Sequence, residues 1–211
     1  MQVTSFTVGP FAENTYVLTE GSRALVIDPG FSEQNEFSEV KSLLDDRELD
    51  LQAVLLTHAH VDQLLGLSRV LNAFDVQVYL SDKDRYLWRN YAGQAALFGI
   101  QAPEFNFEPE VLPAGDNWEI GPFLFDVRYT PGHSPDHLSL YHETTGMVIS
   151  GDALFKEGIG RTDLYKGDME LLRSSIREQL YTLPEETIAY PGHGPKTTIG
   201  HEKKANPFVR G

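Results

Sequence analysis

The sequence predicts a layered domain of the α/β (α+β) class, and three observations carry that expectation. Short apolar or alternating segments of strand length recur along the chain. Segments whose apolar residues fall at helical spacing lie between them. No internal repeat, low-complexity tract or Pro/Gly-rich linker divides the 211 residues, so residues 1–211 read as a single domain with a substantial core.

The first third reads as strands: VTSFTV (3–8), NTYVLTE (14–20) and RALVIDPG (23–30). Gly21-Ser22 is a two-residue connection that makes the second and third a hairpin. A polar helix follows near Glu33 to Asp46, and AVLLT (53–57) is a short, continuous apolar strand. From Asp62 onward, Leu64, Leu65, Leu67, Val70 and Leu71 recur at helical spacing. VQVYL (76–80) is a strand, 82–98 a helix, and Phe105 to Tyr129 a β-rich stretch. LSLYH (138–142) and GMVIS (146–150) add two strands. MELLRSSIREQL (169–180) is an amphipathic helix that Asp168 can N-cap, and TIAY (187–190) reads as the last strand.

Composition excludes several function classes. There are no cysteines, hence no disulfides, thiolate ligands or cysteine nucleophile. The net charge of −14, with no basic stripe to offset it, repels a nucleic-acid backbone. MQVTSFTVGP lacks the basic-then-apolar order of a secretory leader. No apolar run approaches the roughly 18 residues of a membrane span. The expectation is a cytoplasmic protein, monomer or homodimer, acting on a small molecule rather than on nucleic acid or membrane.

Four of the seven histidines share one local pattern: an apolar strand ends and the following turn carries a His or Asp. AVLLT runs into His58-Ala59-His60-Val61-Asp62, and FDVRYT into Pro131-Gly132-His133. MVIS runs into Gly151-Asp152, and TIAY into Pro191-Gly192-His193. Loops at strand ends, held by a rigid sheet, are where many folds build their sites. Imidazoles and carboxylates without thiolates suit Zn²⁺ and also Fe or Mn. We therefore read His58, His60, Asp62, His133, Asp152 and His193 as metal ligands. Each has a blander role open to it: Asp62 can N-cap the helix behind it, and a lone His133 or His193 can be a hydrogen-bonded turn residue. Asp28, in an Asp-Pro-Gly turn, is read as structural support. His137, His142 and His201 are left as surface, core or supporting residues, with His137 the one to test.

Beyond these residues, the sequence resembles the metallo-β-lactamase superfamily, and within it the short glyoxalase II-like hydrolases. The matching stretches are TYVL, LVIDPG, THAHVDQLLG, TPGHSPDHLSLY, SGDALFKEGIGRTDLYKGD and YPGHGPKTTIGHEKKANPF, which span nearly the whole chain. The resemblance implies an αββα sandwich of two mixed β-sheets flanked by helices. It assigns His58, His60 and His133 to a first metal site, Asp62, Asp152 and His193 to a second, and makes Asp152 the bridge. The family usually has a histidine after the Asp of His-x-His-x-Asp; Gln63 stands there in this sequence. An amide oxygen is a harder and weaker ligand for Zn²⁺ than imidazole. One tightly bound zinc ion and a weak, remodelled or empty second site are therefore expected.

The resemblance implies hydrolysis of a thioester, in the manner of hydroxyacylglutathione hydrolase, with metal-bound hydroxide attacking the acyl carbonyl and Asp62 orienting the water. Arg161 and Tyr165, in the loop after Asp152, are the implied substrate contacts; a salt bridge to Asp163 is the plainer role for Arg161. Full-length glyoxalase II enzymes carry a further helical domain that contacts glutathione, and this sequence stops soon after NPF, so glutathione specificity is not expected. Two alternatives stay open. One is a mononuclear iron persulfide dioxygenase, whose Gly-Arg-Thr-Asp loop the sequence shares and whose iron would use His58, His133 and Asp152. The other is a non-catalytic or weakly active binding member of the fold.

Overall fold

The computed structural model describes residues 1–211. Its contacts fall into two compact units: Met1–Leu112 with Ile120–Phe123, and Pro113–Glu119 with Leu124–Gly211.

The first unit holds a six-stranded mixed sheet in the order β1 (Gln2–Val8), β2 (Glu13–Glu20), β3 (Arg23–Ile27), β4 (Asp50–Leu55), β5 (Gln77–Leu80) and β6 (Glu110–Val111). β1 to β3 are antiparallel, and Gly21, at φ 58°, turns the hairpin that pairs Glu20 with Arg23. From β3 to β6 the pairs are parallel, so each connection must cross over. Helix α1 (Gln34–Asp46) makes the first crossover and buries Phe37, Val40 and Leu44. The Glu36 carboxylate secures its start by accepting from the N–H groups of Gly9, Ser32 and Glu33.

The helix expected after Asp62 is two short pieces, α2 (Val61–Leu64) and α3 (Leu67–Ala73). The break lies at Gly66, whose N–H donates to the Pro29 carbonyl at 2.7 Å. The Phe31 ring occupies the space a Cβ would need there. The helix expected over 82–98 is likewise divided into α4 (Tyr86–Arg89) and α5 (Tyr91–Leu97). Asn90 between them leaves helical ψ, with its side chain lying over Gly93.

The second unit holds another mixed sheet, built from β7 (Gly115–Ile120), β8 (Phe123–Tyr129), β9 (Leu138–His142), β10 (Met147–Gly151), β13 (Ile188–Pro191) and β14 (Thr197–Thr198) in the order β14-β13-β10-β9-β8-β7. β10 and β13 pair in parallel, whereas β13 with β14, β10 with β9 and β9 with β8 pair antiparallel. A small hairpin, β11 (Leu154–Phe155) with β12 (Gly158–Ile159), follows β10. Helix α6 (Met169–Ser175) starts at Asp168, whose side chain accepts from the N–H groups of Glu170 and Leu171 as expected, a cap worth about 1 kcal/mol. It widens into a π-helical turn over Ile176–Leu180. Leu172, Ile176 and Leu180 repeat every four residues and are fully buried with Val148, Ala189 and Ile199.

TIAY is not the last strand: β14 and helix α7 (Ile199–Ala205) come after it. Thr198 caps α7 by accepting from His201 N–H. The buried Glu202 carboxylate accepts from Thr197 Oγ1 at 2.6 Å, Glu157 N–H at 2.9 Å and Asn206 Nδ2 at 2.9 Å. Asn206 Nδ2 also donates to the Gly158 carbonyl, so α7 is fastened to the β11–β12 hairpin. Two large mixed sheets with helices are the elements that the resemblance implies. No helix is long and apolar enough to cross a membrane.

Candidate metal centre

In the first unit, the chain leaves β4 and enters Thr57-His58-Ala59-His60. β3 ends beside β4, with Ile27 paired to Leu55, which brings Asp28 next to Thr57. Asp28, buried and held at φ 48°, accepts from Thr57 N–H at 2.8 Å and Thr57 Oγ1 at 2.7 Å. With its proton committed to Asp28, Thr57 Oγ1 accepts from His58 Nδ1 at 3.0 Å. That order of donors makes Nε2 the lone-pair nitrogen of His58. Asp28 is thus more than a turn former: it fixes the ring two links away.

The His58 and His60 rings lie 4.8 Å apart at 86°. His60 occupies the N-cap position of α2, and Asp62 sits in the first turn rather than at the cap. Helix α5 braces the same loop. Gln94 Nε2 donates to the Ala59 carbonyl at 2.9 Å and to the Leu87 carbonyl at 2.8 Å, and Tyr91 Oη donates to the Leu64 carbonyl at 3.3 Å. Burial raises the Tyr91 phenol to about 12. Gln63 is fully buried, and neither its amide oxygen nor its amide nitrogen has a hydrogen-bond partner in the protein.

In the second unit, β8 ends at Thr130-Pro131-Gly132-His133. Gly132 turns the chain at φ 125°, where a Cβ would overlap the Leu172 backbone. His133 Nδ1 donates to the Arg161 carbonyl at 2.7 Å, which points its Nε2 lone pair the other way. Asp152 follows Gly151, itself at φ 48°. Asp152 Oδ2 lies 3.4 Å from His133 Nε2 and 3.5 Å from His193 Nε2, and Asp152 Oδ1 has no hydrogen-bond partner. A Cβ on Gly192 would fall on Asp152 Oδ1, and one on Gly160 on the Asp152 carbonyl.

Arg161 contributes its backbone to this arrangement while its side chain turns outward. The exposed guanidinium forms a bidentate pair with Asp163 at 2.6 and 2.7 Å, and that hydrogen bond lowers the Asp163 carboxyl to about 2. The plainer role for Arg161 is therefore filled in this structure. Tyr165 carries Lys166 over its ring, 5.3 Å from the centroid. His142 accepts from Thr145 N–H and closes a turn, and His201 bonds Glu157 at 2.9 Å.

Within the first unit, ligand atoms of His58 and His60 lie within 4.8 Å of each other, and within the second unit so do those of Asp152 and His193. The chemistry around Asp152 fits a cation. A lone pair on His133 Nε2 facing a carboxylate oxygen is repulsive unless a proton or a metal ion reconciles them. Nitrogen and oxygen donors without sulfur suit Zn²⁺, Fe²⁺ and Mn²⁺ alike.

Thr57 and Gln94 escaped the sequence reading, which gave Asp28 structural support but not its bonds to Thr57. Faint signals exist: Thr57 directly precedes His58, and Gln94 is a lone amide between Tyr91 and Ala95 on the buried face of α5.

A sequence model of the metallo-beta-lactamase superfamily matches residues 8–193. The chain is 40% identical over 209 residues to the probable metallo-hydrolase YqgX of Bacillus subtilis, covering 97% of this chain and 95% of that protein. It is 34% identical over 218 residues to the hydroxyacylglutathione hydrolase GloC of Haemophilus influenzae, covering 99% and 98%. Among solved structures, TTHA1623 in a di-iron-bound form superposes with a TM-score of 0.88 at 36% identity, covering 98% of this chain and all of that one.

Proposed function

The chain belongs to the metallo-β-lactamase superfamily, and from that premise we propose that it is a metal-dependent hydrolase of thioesters. The observation that carries the metal reading is the Asp152 carboxylate, set 3.4 and 3.5 Å from the Nε2 atoms of His133 and His193. The thioester reading is supported by the likeness to GloC along almost its full length.

In this reading His58, His60 and His133 would hold the tighter ion, and Asp62, Asp152 and His193 would serve a second one. Gln63 offers that second position a neutral amide oxygen, so we propose one firmly held zinc and a weaker second occupant. Iron and manganese suit the same donors, and the di-iron form of TTHA1623 keeps iron in contention. A bound divalent ion supplies a Lewis acid that lowers the pKa of water and polarises a carbonyl. The Asp62 carboxylate orients the attacking water and accepts its proton. The Asp28–Thr57 relay holds His58 in one tautomer throughout, and the Arg161 carbonyl does the same for His133. The half-buried Tyr165 contacts the thiol portion, and Arg161 does so only on release from Asp163.

The test is turnover of lactoylglutathione and simpler acyl thioesters by protein loaded with each metal. Hydrolysis should vanish on chelation, return with zinc, and fall about 10²- to 10⁴-fold in kcat for Asp62→Asn. A second reading, persulfide oxidation at a single iron, draws on the Gly160–Asp163 loop, whose Arg161 carbonyl orients His133. Stoichiometric iron with sulfite formed from a persulfide, and no thioester turnover, would overturn the hydrolase reading.

A further inference from the structure

His137 stands outside the six ligand-type residues, yet it reaches the centre of the second unit's cluster. Its ring is fully buried. Nε2 accepts from the Asp152 backbone N–H at 2.9 Å, and Nδ1 meets Thr130 Oγ1 at 2.8 Å. A backbone N–H can only donate, so Nε2 must be the acceptor and Nδ1 must carry the proton. Thr130 Oγ1 then accepts from Nδ1 and passes its own proton toward Ser139 Oγ at 2.9 Å, which faces the Ser150 carbonyl at 3.4 Å. Every hydrogen bond in this series points one way. Thr130, Ser139 and Ser150 are all fully buried, so no solvent competes for the donors. The edge of the His137 ring also faces His133, with centroids 6.2 Å apart at 87°.

Asp152 is confined on several sides. Gly192 and Gly160 admit its Oδ1 and its carbonyl only because they lack a Cβ. Those two contacts limit where Asp152 can go, while the bond from His137 holds it by attraction. Gly151, in the left-handed region, and the irregular register of β10 with β13 at this point leave the local backbone without a regular ladder to fix it.

We propose that His137 is a positioning residue for Asp152: it holds the backbone of residue 152 so that the carboxylate meets His133 and His193 in one geometry, and so sets metal affinity. The proposal rests on Asp152 being a metal ligand, and not on the thioester reading. The experiment therefore uses no substrate. Zinc and manganese dissociation constants are measured by chelator competition for wild type, His137→Leu and His137→Gln, alongside thermal stability of each metal-free protein. His137→Leu keeps the volume and removes the acceptor. It should weaken metal binding about 10- to 100-fold, and His137→Gln, whose amide can accept from Asp152 and donate to Thr130, should recover most of that loss. A purely structural role would instead lower metal-free stability and leave the dissociation constants unchanged, which would overturn the proposal. If His137→Leu does not fold, Thr130→Val decides: it removes the acceptor that fixes the His137 tautomer. Weakened metal binding in that variant supports the proposal, and unchanged binding refutes it.

Discussion

The two units carry their ligand-type residues in opposite ways. In the first, His58, His60 and Asp62 come from five consecutive residues, and their supports come from far away in sequence: Asp28 through Thr57, and Gln94 onto the Ala59 carbonyl. In the second, His133, Asp152 and His193 come from three separate strand ends, and their order depends on missing side chains at Gly160 and Gly192 and on backbone capture by His137. The contiguous run is held by hydrogen bonds to a loop that local sequence already brings together. The dispersed set has no such local help, so it needs a close-fitting mould. Steric change should therefore hurt the second unit more than the first.

The largest expected effect is Gly160→Ala. The new methyl would overlap the Asp152 carbonyl and press on the His133 ring. We expect a loss of about 3 kcal/mol in urea unfolding, together with loss of bound metal. Wild-type stability and metal content in this variant would break the mould argument.

Asp28→Ala comes next. It leaves the buried Thr57 N–H and hydroxyl without their acceptor, at a cost of about 2 kcal/mol. It also frees the His58 ring, which should weaken metal binding about 10-fold. If metal binding stays at the wild-type level while stability falls, the relay supports the fold and does not orient His58.

The smallest effect is expected at Tyr91. Its phenol is raised from 10.0 to about 12 by burial, so the folded state favours the neutral form. Between pH 10 and 12 the unfolded chain ionises at this residue and the folded one does not. Stability should then fall as pH rises through that window. Tyr91→Phe removes this share of the alkaline loss, and at neutral pH costs about 1 kcal/mol for the bond to the Leu64 carbonyl. Denaturation curves from pH 8 to 12 for both proteins check the slope; equal slopes would show that Tyr91 is not the group responsible.

Much of the architecture is legible in the sequence because it follows from local pattern. The Gly21-Ser22 hairpin, the Asp168 cap and the four-residue repeat of Leu172, Ile176 and Leu180 all appear where short-range rules put them. The departures have tertiary causes. Apolar spacing from Leu64 to Leu71 suggests one helix, but Phe31 and Pro29, more than 30 residues earlier, interrupt it at Gly66. The two-residue strand β14 is too short to show a period, and α7 is announced only by its Thr198 cap. The supports of the candidate centre were hidden for the same reason. Nothing beside His137 in the sequence says that its ring will receive the Asp152 N–H.

The Glu202 clasp on the β11–β12 hairpin bears on how the molecule is made. Glu157 and Glu202 are 45 residues apart, and the hairpin leads directly into the Arg161 carbonyl that orients His133. During synthesis the hairpin emerges well before the helix that fastens it, by roughly two to nine seconds at ordinary elongation rates. For that interval the nascent chain presents Asp152 and His133 with their surrounding loop untethered. Assembly of the second unit's cluster is thus a late event in the life of the polypeptide, because His193 and the Glu202 carboxylate both follow Asp152 by 40 residues or more.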